Sequence, residues 1–222
     1  MRTAIFDLDG TLVDTSADLI AAANACFRMM GAGDQLDPVA DAATAFAGGR
    51  AMLRLGLGRI GDTAPEAEVD RWHPYLLEAY AAGIDRESRL YPGAMAAVAR
   101  LSAAGWRVGV CTNKPAALAE LLLRRLGVRE AFGGLVGADT LPVRKPDPAP
   151  YRAAVARAGG VAARSFLIGD TVTDRDTARA AGVPVALVTF GPGGPGVAAL
   201  APDALLDHFD ALDAVAERLV PL

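Results

Sequence analysis

The 222-residue chain has 26 acidic and 22 basic side chains, which are mixed along its length and give a formal charge of −4. This balance argues against nucleic acid and anionic membrane surfaces as partners. No apolar run approaches the roughly 20 residues that a membrane span requires, and the short apolar start of the chain does not resemble a signal peptide. We therefore expect a cytoplasmic protein that acts on a small molecule; nothing in the sequence predicts an oligomeric state.

Short apolar runs rich in Val, Ile and Phe alternate with helical patterns along most of the chain. Each run is typical of a strand that is buried on both faces, and the helices tend to begin near proline and to stop at glycine. This alternation predicts an α/β fold with a parallel sheet between helices. The predicted strands are 3–8, 107–112, 134–138, 165–168 and 183–190, and the predicted helices are 93–104, 115–126, 148–158, 174–181 and 209–219.

The segment 15–86 departs from this alternation, because it shows helical periodicity and no convincing strand. We interpret it as an all-helical insertion into a core formed by residues 1–14 and 87–222. Ligands of parallel sheets bind at the carboxyl ends of the strands, so an insertion that follows the first strand is well placed to act as a lid. The alternative is a helical subdomain that only adds buried surface.

Two carboxylates, Asp7 and Asp9, stand at the end of the first predicted strand. They are followed by Gly10, which can take unusual backbone angles, and by Thr11, whose hydroxyl could brace the turn. Side chains two residues apart begin on the same face of a strand. Two carboxylates so close repel each other unless a cation lies between them or one is protonated. Magnesium is the natural cation for a site made only of oxygen ligands, so the sequence predicts a Mg²⁺ site here.

Polar side chains also follow three later strands. Thr112 and Asn113 lie at a strand-to-helix turn, where a hydroxyl and backbone N–H groups can cradle an anion. Lys145 precedes the next helix and could send an ammonium to the same edge. Asp170 and Asp174 are four residues apart at a helix start, so one can bind the metal while the other orients a water or the lysine. Asp174 could also serve as the helix N-cap.

The chain uses lysine rarely, since 20 of its 22 basic residues are arginine and the other two are Lys114 and Lys145. This bias suggests that both positions need a compact ammonium, which the planar guanidinium group does not imitate. Chance retention is the alternative.

The order of four motifs, DLDGT, VCTNK, RKPDP and GDTVTD, resembles that of the haloacid dehalogenase superfamily of phosphohydrolases. The resemblance runs from Arg2 to about Phe190, and the closest match is the phosphoglycolate phosphatase type, on DGTLVDTSADL, YPG, CTNKP and GDTVTDRDTARAAG. It implies a Rossmann-like core with a small helical cap inserted after the first strand.

The resemblance also implies a mechanism. Asp7 would be the nucleophile on phosphorus, and Asp9 would protonate the leaving alcohol and then activate the water that cleaves the aspartyl phosphate. Mg²⁺ would be held by the Asp7 carboxylate, the Asp9 backbone carbonyl and Asp170, with Asp174 supporting the site. Lys145 would also keep Asp7 ionised and aimed. The residues that bind the phosphoryl oxygens would be Gly10, Thr112, Asn113 and Lys145.

The substrate prediction depends on the helical insertion. Gly48, Gly49 and Arg50 resemble a loop that such caps lower into the active site, where Arg50 could pair with a carboxylate or a second anion; a surface turn with a solvated arginine is the alternative. We predict a small phosphomonoester with a second anionic group, such as 2-phosphoglycolate. Sugar phosphates, nucleotides and pyrophosphate stay open as substrates.

Other chemistries on this fold differ in residues that can be read directly. A dehalogenase would be expected to lack the second acid, Asp9, and a phosphonatase would need a cap lysine, whereas no lysine lies between Asp14 and Arg89. A sugar phosphomutase stays open, although SADLIAAAN at the cap entrance has neither the histidine nor the lysine expected of it. A phosphoryl-receiver domain would carry its phosphoacceptor after the acidic pair, at a later strand end. A non-catalytic binding protein is the remaining alternative.

Overall fold

The computed structural model describes residues 1–61 and 65–222, and the chain divides into two compact units. One unit comprises Met1–Val13 and Leu90–Leu222, and the other comprises Asp14–Arg89. Residues 62–64 of the predicted insertion lie outside the described residues. That the two units work as a catalytic core and a lid stays a prediction. No helix within the described residues combines the length and the apolar character that a bilayer span requires.

The strands of the described chain form one large sheet and one small sheet. In chain order they are β1 (Thr3–Phe6), β2 (Val13–Asp14), β3 (Arg89–Leu90), β4 (Arg107–Cys111), β5 (Gly134–Val136), β6 (Ser165–Gly169), β7 (Val185–Val188) and β8 (Ala204–Leu206). The large sheet has the order β5-β4-β1-β6-β7-β8, and all its strands pair in parallel. Strands β2 and β3 pair separately.

The helices of the described chain lie in both units. They are α1 (Ser16–Met29), α2 (Ala42–Phe46), α3 (Gly49–Ile60), α4 (Glu66–Ala82), α5 (Ala94–Ala103), α6 (Ala116–Arg125), α7 (Pro148–Arg157), α8 (Val172–Ala181) and α9 (Leu212–Leu219). In the sheet-containing unit, α7 packs on β1, β4 and β5, and α8 packs on β6 and β7. A parallel sheet flanked by helices confirms the predicted α/β fold.

The core of this unit is built by the apolar runs that predicted the strands. Every residue of β1, β5, β6 and β7 is buried, as expected for parallel strands that are covered on both faces. Ile5 and Leu167 from neighbouring strands share an apolar cluster with Tyr151 and Val155 of α7. This packing holds the sheet in place, and the loops at the carboxyl ends of its strands start from that well-packed sheet.

Several details differ from the sequence prediction, which also lacks the two-residue strands β2 and β3. The prediction missed β8, which is only three residues long and too short to show a period; it exists because it pairs with β7 at the edge of the sheet. Helix α8 begins at Val172 and not at Asp174, because Thr171 is its N-cap and forms a reciprocal capping box with Asp174. Asp174 is therefore at the third helical position and is not the N-cap.

The other unit contains α1 to α4, and α1 packs mainly on α4. Two buried polar residues of α1 bind the backbone of loops elsewhere in this unit. Asn24 binds the backbone of Gln35 and Leu36, and Asp18 accepts hydrogen bonds from the backbone N–H groups of Glu87 and Ser88. Buried polar groups satisfied in this way fix the paths of the loops that they contact.

Candidate active site

Parallel pairing aligns the ends of three strands that precede predicted site residues. Phe6 of β1 is in register with Val110 of β4 and with Ile168 of β6. Asp7 follows β1 directly, and its backbone N–H donates to the Ile168 carbonyl at 2.8 Å. The turns that carry Asp7, Thr112 and Asp170 therefore leave the sheet side by side, on the middle strands of its order.

Asp7 is a buried carboxylate with two hydrogen-bond donors. Its Oδ1 accepts from the Leu8 N–H at 2.7 Å, and its Oδ2 lies 2.9 Å from Lys145 Nζ. Burial raises the pKa of Asp7 to about 6, although Lys145 opposes this rise. Burial also lowers the pKa of Lys145, but the negative charges of Asp174 and Asp7 outweigh it and leave that pKa above its usual value. The positive charge of Lys145 thus fixes the orientation of the Asp7 carboxylate through its Oδ2.

Asp174 orients the lysine and the turn after β6. Its Oδ1 accepts from Lys145 Nζ at 2.7 Å, and its Oδ2 accepts from the Thr171 hydroxyl at 2.7 Å and from the Thr171 and Asp170 N–H groups. A Cβ on Gly169 would lie 2.3 Å from Asp174 Cγ, so only glycine allows this close approach. The two oxygens of Asp174 have four donors between them, whereas those of Asp7 have two, so Asp174 is better suited to a supporting role than to metal binding.

Asp170 is the acid that keeps an unused oxygen. Its Oδ1 accepts from the Thr11 hydroxyl at 2.9 Å, but among the described residues no donor reaches its buried Oδ2. Burial, together with the charges of Asp174 and Asp7, raises the pKa of Asp170 well above its usual value. A buried oxygen without a partner is costly in a protein interior, so this atom suggests a cation ligand.

Gly10, which has no side chain, leaves room beside Asp170 Oδ2. Its φ of +78° is unfavourable for residues with a side chain, and a Cβ there would lie 2.4 Å from Asp170 Oδ2. Carboxylate oxygens from Asp7, Asp170 and Asp174 all lie within 4.8 Å of one another. An oxygen-only donor set with one unpartnered member fits a hard divalent cation. Asp7 and Asp170 are the carboxylates best placed to hold it.

The predicted phosphate-binding turn after β4 has a buried residue, Thr112, and an exposed one, Asn113, and is tied to the loop that carries Lys145. The Thr112 hydroxyl accepts from the Lys114 N–H at 3.1 Å, which leaves its own hydrogen for another acceptor. The Asn113 side-chain amide donates to the Lys145 carbonyl at 3.0 Å. Asn113 therefore links this turn to the Lys145 loop.

Two contacts of the site were not assigned from the sequence. Thr11 was expected only to brace its turn, yet it binds Asp170. Lys114 was singled out by the scarcity of lysine but received no role, and its Nζ lies 2.8 and 3.0 Å from the two carboxylate oxygens of Asp9. The composition was the only signal that could have pointed to Lys114, because the pairing joins residues that are far apart in the chain.

Arg50 belongs to the helical unit. It lies in the first turn of α3, after Gly48, whose φ is +98°, and it forms an exposed ion pair with Asp70 of α4 at 2.5 Å. The predicted role of Arg50 in substrate recognition stays a prediction.

Comparison with known proteins identifies the family. Residues 1–182 match the family of haloacid dehalogenase-like hydrolases. A phosphoglycolate phosphatase of Mesorhizobium japonicum is 40% identical over 97% of this chain and 95% of its own, and one of Agrobacterium fabrum is 39% identical over 98% and 93%. The crystal structure of a predicted phosphoglycolate phosphatase from Haemophilus somnus has a TM-score of 0.85 at 25% identity and covers 97% of both chains. The chain therefore belongs to the haloacid dehalogenase-like hydrolase family, as its four motifs predicted.

Proposed function

We propose that this protein is a magnesium-dependent phosphatase that cleaves small phosphomonoesters through a phosphorylated Asp7. The observation that carries the proposal is the environment of Asp7: a buried carboxylate at the end of a central strand, 2.9 Å from Lys145 Nζ, in a cluster with Asp170, whose Oδ2 has no donor among the described residues. Such a group is oriented as a nucleophile and does not resemble a solvated turn residue.

In the first step, one oxygen of Asp7 attacks phosphorus and the bond from phosphorus to the ester oxygen breaks. The departing alkoxide takes a proton from Asp9, so the products of this step are an alcohol and an aspartyl phosphate. Proton donation to the leaving group is general acid catalysis, and it matters most when the alcohol is a poor leaving group.

In the second step, Asp9 accepts a proton from a water molecule as the water attacks phosphorus. The bond between phosphorus and the Asp7 oxygen breaks, which releases inorganic phosphate and restores the Asp7 carboxylate. Asp9 is then protonated again and ready for the next substrate.

The chain can hold the phosphoryl group with donors that its own contacts leave available. An ammonium has three N–H donors, and Lys145 directs two of them at Asp7 and Asp174. We assign the third to a phosphoryl oxygen, together with the Thr112 hydroxyl and the Asn113 backbone N–H. The Gly10 N–H already donates to the Val13 carbonyl at 2.9 Å, so the role of Gly10 in phosphate binding stays a prediction. Fixed donors of this kind provide most of the catalysis in phosphoryl transfer.

Mg²⁺ would be held by the Asp7 carboxylate, the Asp9 backbone carbonyl and Asp170. When bound, it supplies positive charge that offsets the charge on the phosphoryl oxygens. The unpartnered oxygen of Asp170 and the oxygen-only ligands support this choice of cation.

The helical unit, Asp14–Arg89 by its contacts and 15–86 by the sequence prediction, would be the cap that selects the substrate. We propose 2-phosphoglycolate as the substrate, with its carboxylate recognised by Arg50. Support comes from the relatives, which are named phosphoglycolate phosphatases and match this chain over nearly its full length.

The reaction class is tested with the purified full-length protein, 4-nitrophenyl phosphate and Mg²⁺. We expect phosphate release that stops when the metal is chelated and that falls by at least about 1,000-fold in Asp7→Asn, because the nucleophile is lost. Asp176→Asn is the matched control, since Asp176 is a half-buried acid of α8 that pairs with Arg175 and contacts none of the site residues named above. Absence of turnover by the unmutated protein would refute the proposed activity.

The substrate is tested with a panel of monoesters that includes 2-phosphoglycolate, sugar phosphates, nucleotides and pyrophosphate. We expect the highest kcat/KM for 2-phosphoglycolate. A higher kcat/KM for a sugar phosphate would replace this substrate but keep the reaction class.

A further inference from the structure

The two aspartates that follow β1 are each paired with a lysine. Lys145 contacts Asp7, and Lys114 contacts both oxygens of Asp9, at 2.8 and 3.0 Å. These are the two lysines of a chain that has 20 arginines. Both lysines of the chain thus contact the acidic pair that follows β1.

The backbone on both sides of the Lys114–Asp9 pair is fixed. The Lys114 N–H donates to the Thr112 hydroxyl at 3.1 Å, and its carbonyl accepts from the Ala138 N–H at 2.9 Å. Asp9 forms a backbone bridge with Val13. The ammonium therefore reaches Asp9 from an anchored turn.

The pair is also well shielded from water. The Lys114 side chain is only 3% exposed and that of Asp9 is 19% exposed. A shielded ion pair with two close contacts restrains a carboxylate far more than an exposed pair does, because less water competes for either group. The Asp9 side chain is therefore less completely covered than that of Lys114.

We propose that Lys114 is a positioning residue that holds the Asp9 carboxyl group in line with the leaving oxygen of the substrate. The proposal rests on the function proposed above, in which Asp9 donates the proton to that oxygen. Lys114 acts through Asp9 and makes no bond to the reacting atoms. A lysine suits this place because a compact ammonium can contact both oxygens of one carboxylate from a narrow space, whereas a guanidinium needs a wider, planar one.

Substitution of Lys114 should therefore slow the departure of the leaving group more than it weakens substrate binding. We expect Lys114→Met to lower kcat/KM for the alkyl esters 2-phosphoglycolate and glycerol 1-phosphate by the same factor, about 10- to 100-fold, since misplacement of a catalytic group costs rates of this order. The value for 4-nitrophenyl phosphate should fall less than about threefold, because nitrophenolate leaves without a proton.

Several outcomes would overturn the proposal. An equal loss on all three esters would indicate a general structural role, and a loss confined to 2-phosphoglycolate would indicate that Lys114 binds the second anionic group. No loss on any ester would remove Lys114 from the mechanism. Failure of the unmutated protein to hydrolyse any ester would instead refute the phosphatase function, so the two failures are distinguishable.

Two further variants complete the experiment. Lys114→Arg keeps the positive charge and carries the test if Lys114→Met does not fold; we expect the same dependence on the leaving group with a loss of about three- to tenfold. Arg124→Met is the matched control, because it removes a basic residue of an exposed ion pair with Glu120 on the helix that follows Lys114. It should leave all three kcat/KM values unchanged.

Discussion

The two units of the chain use ion pairs in different ways. In the sheet-containing unit, Lys145 is 1% exposed and binds Asp174, which is 0% exposed. In the helical unit, Arg50 and Asp70 pair at 44% and 62% exposure, and Arg54 and Glu66 form a similar exposed pair. The two lysines bind shielded carboxylates in the first unit, which also has exposed arginine pairs such as Arg124–Glu120. The two pairs named in the helical unit are exposed and are made by arginine.

This difference indicates which charged side chains support the fold and which are available to bind a ligand. A buried ion pair that loses one partner leaves an uncompensated charge in the interior, whereas an exposed pair contributes little to stability. Substitutions in the buried lysine pairs of the first unit should therefore change stability and chemistry together. Substitutions of exposed arginines in the second unit should leave stability nearly unchanged, and only an arginine that contacts the ligand should alter its recognition.

The largest effect is expected for Lys145→Met, which leaves Asp7 and Asp174 buried without their shared cation. We expect the free energy of unfolding to fall by about 3–5 kcal/mol, as measured by urea titration at neutral pH. The double variant Lys145→Met/Asp174→Asn should recover part of this loss, because one of the two buried negative charges is removed. A decrease below about 1 kcal/mol in the single variant would contradict the buried-pair interpretation.

A smaller effect is expected for Thr11→Val, which removes the hydroxyl that donates to Asp170 Oδ1. The change leaves a buried acceptor without its donor, so stability should fall by about 1–3 kcal/mol. The Mg²⁺ concentration that gives half-maximal activity should rise about tenfold, since a supporting hydrogen bond to a metal ligand is lost.

Thr177→Val is the matched control for Thr11→Val. Thr177 is equally buried, but its hydroxyl donates to the Thr173 carbonyl within α8 and does not contact a site carboxylate. Its Mg²⁺ requirement should not change. An identical requirement in both variants would show that Thr11 does not support a metal ligand.

The smallest effect on stability is expected for Arg50→Ala, because its pair with Asp70 is exposed. Its thermal midpoint and kcat should be unchanged, while KM for 2-phosphoglycolate should rise about tenfold through loss of one charged contact. Arg54→Ala, four residues further along α3, removes a similar exposed pair and should change neither constant. If Arg50→Ala alters 2-phosphoglycolate and sugar phosphates alike, Arg50 does not read the second anion.

The predictability of the fold also differs along the chain. The α/β class and five strands of the large sheet could be predicted, because buried runs and helix ends are local patterns. Strand β8 could not, since Ala204–Leu206 depends on pairing with β7. The start of α8 was misplaced by two residues because the reciprocal capping of Thr171 and Asp174 was not recognised.

For the site, the sequence by itself determined which residue types stand at the strand ends and in what order, and this order was enough to predict the family. The tertiary structure decided the partners: Lys145 between Asp7 and Asp174, Thr11 on Asp170, and Lys114 on Asp9. The order of residues along the chain can be read from the sequence alone. Pairing depends on which turns emerge side by side from the sheet and on how deeply each side chain is buried, and packing alone sets both.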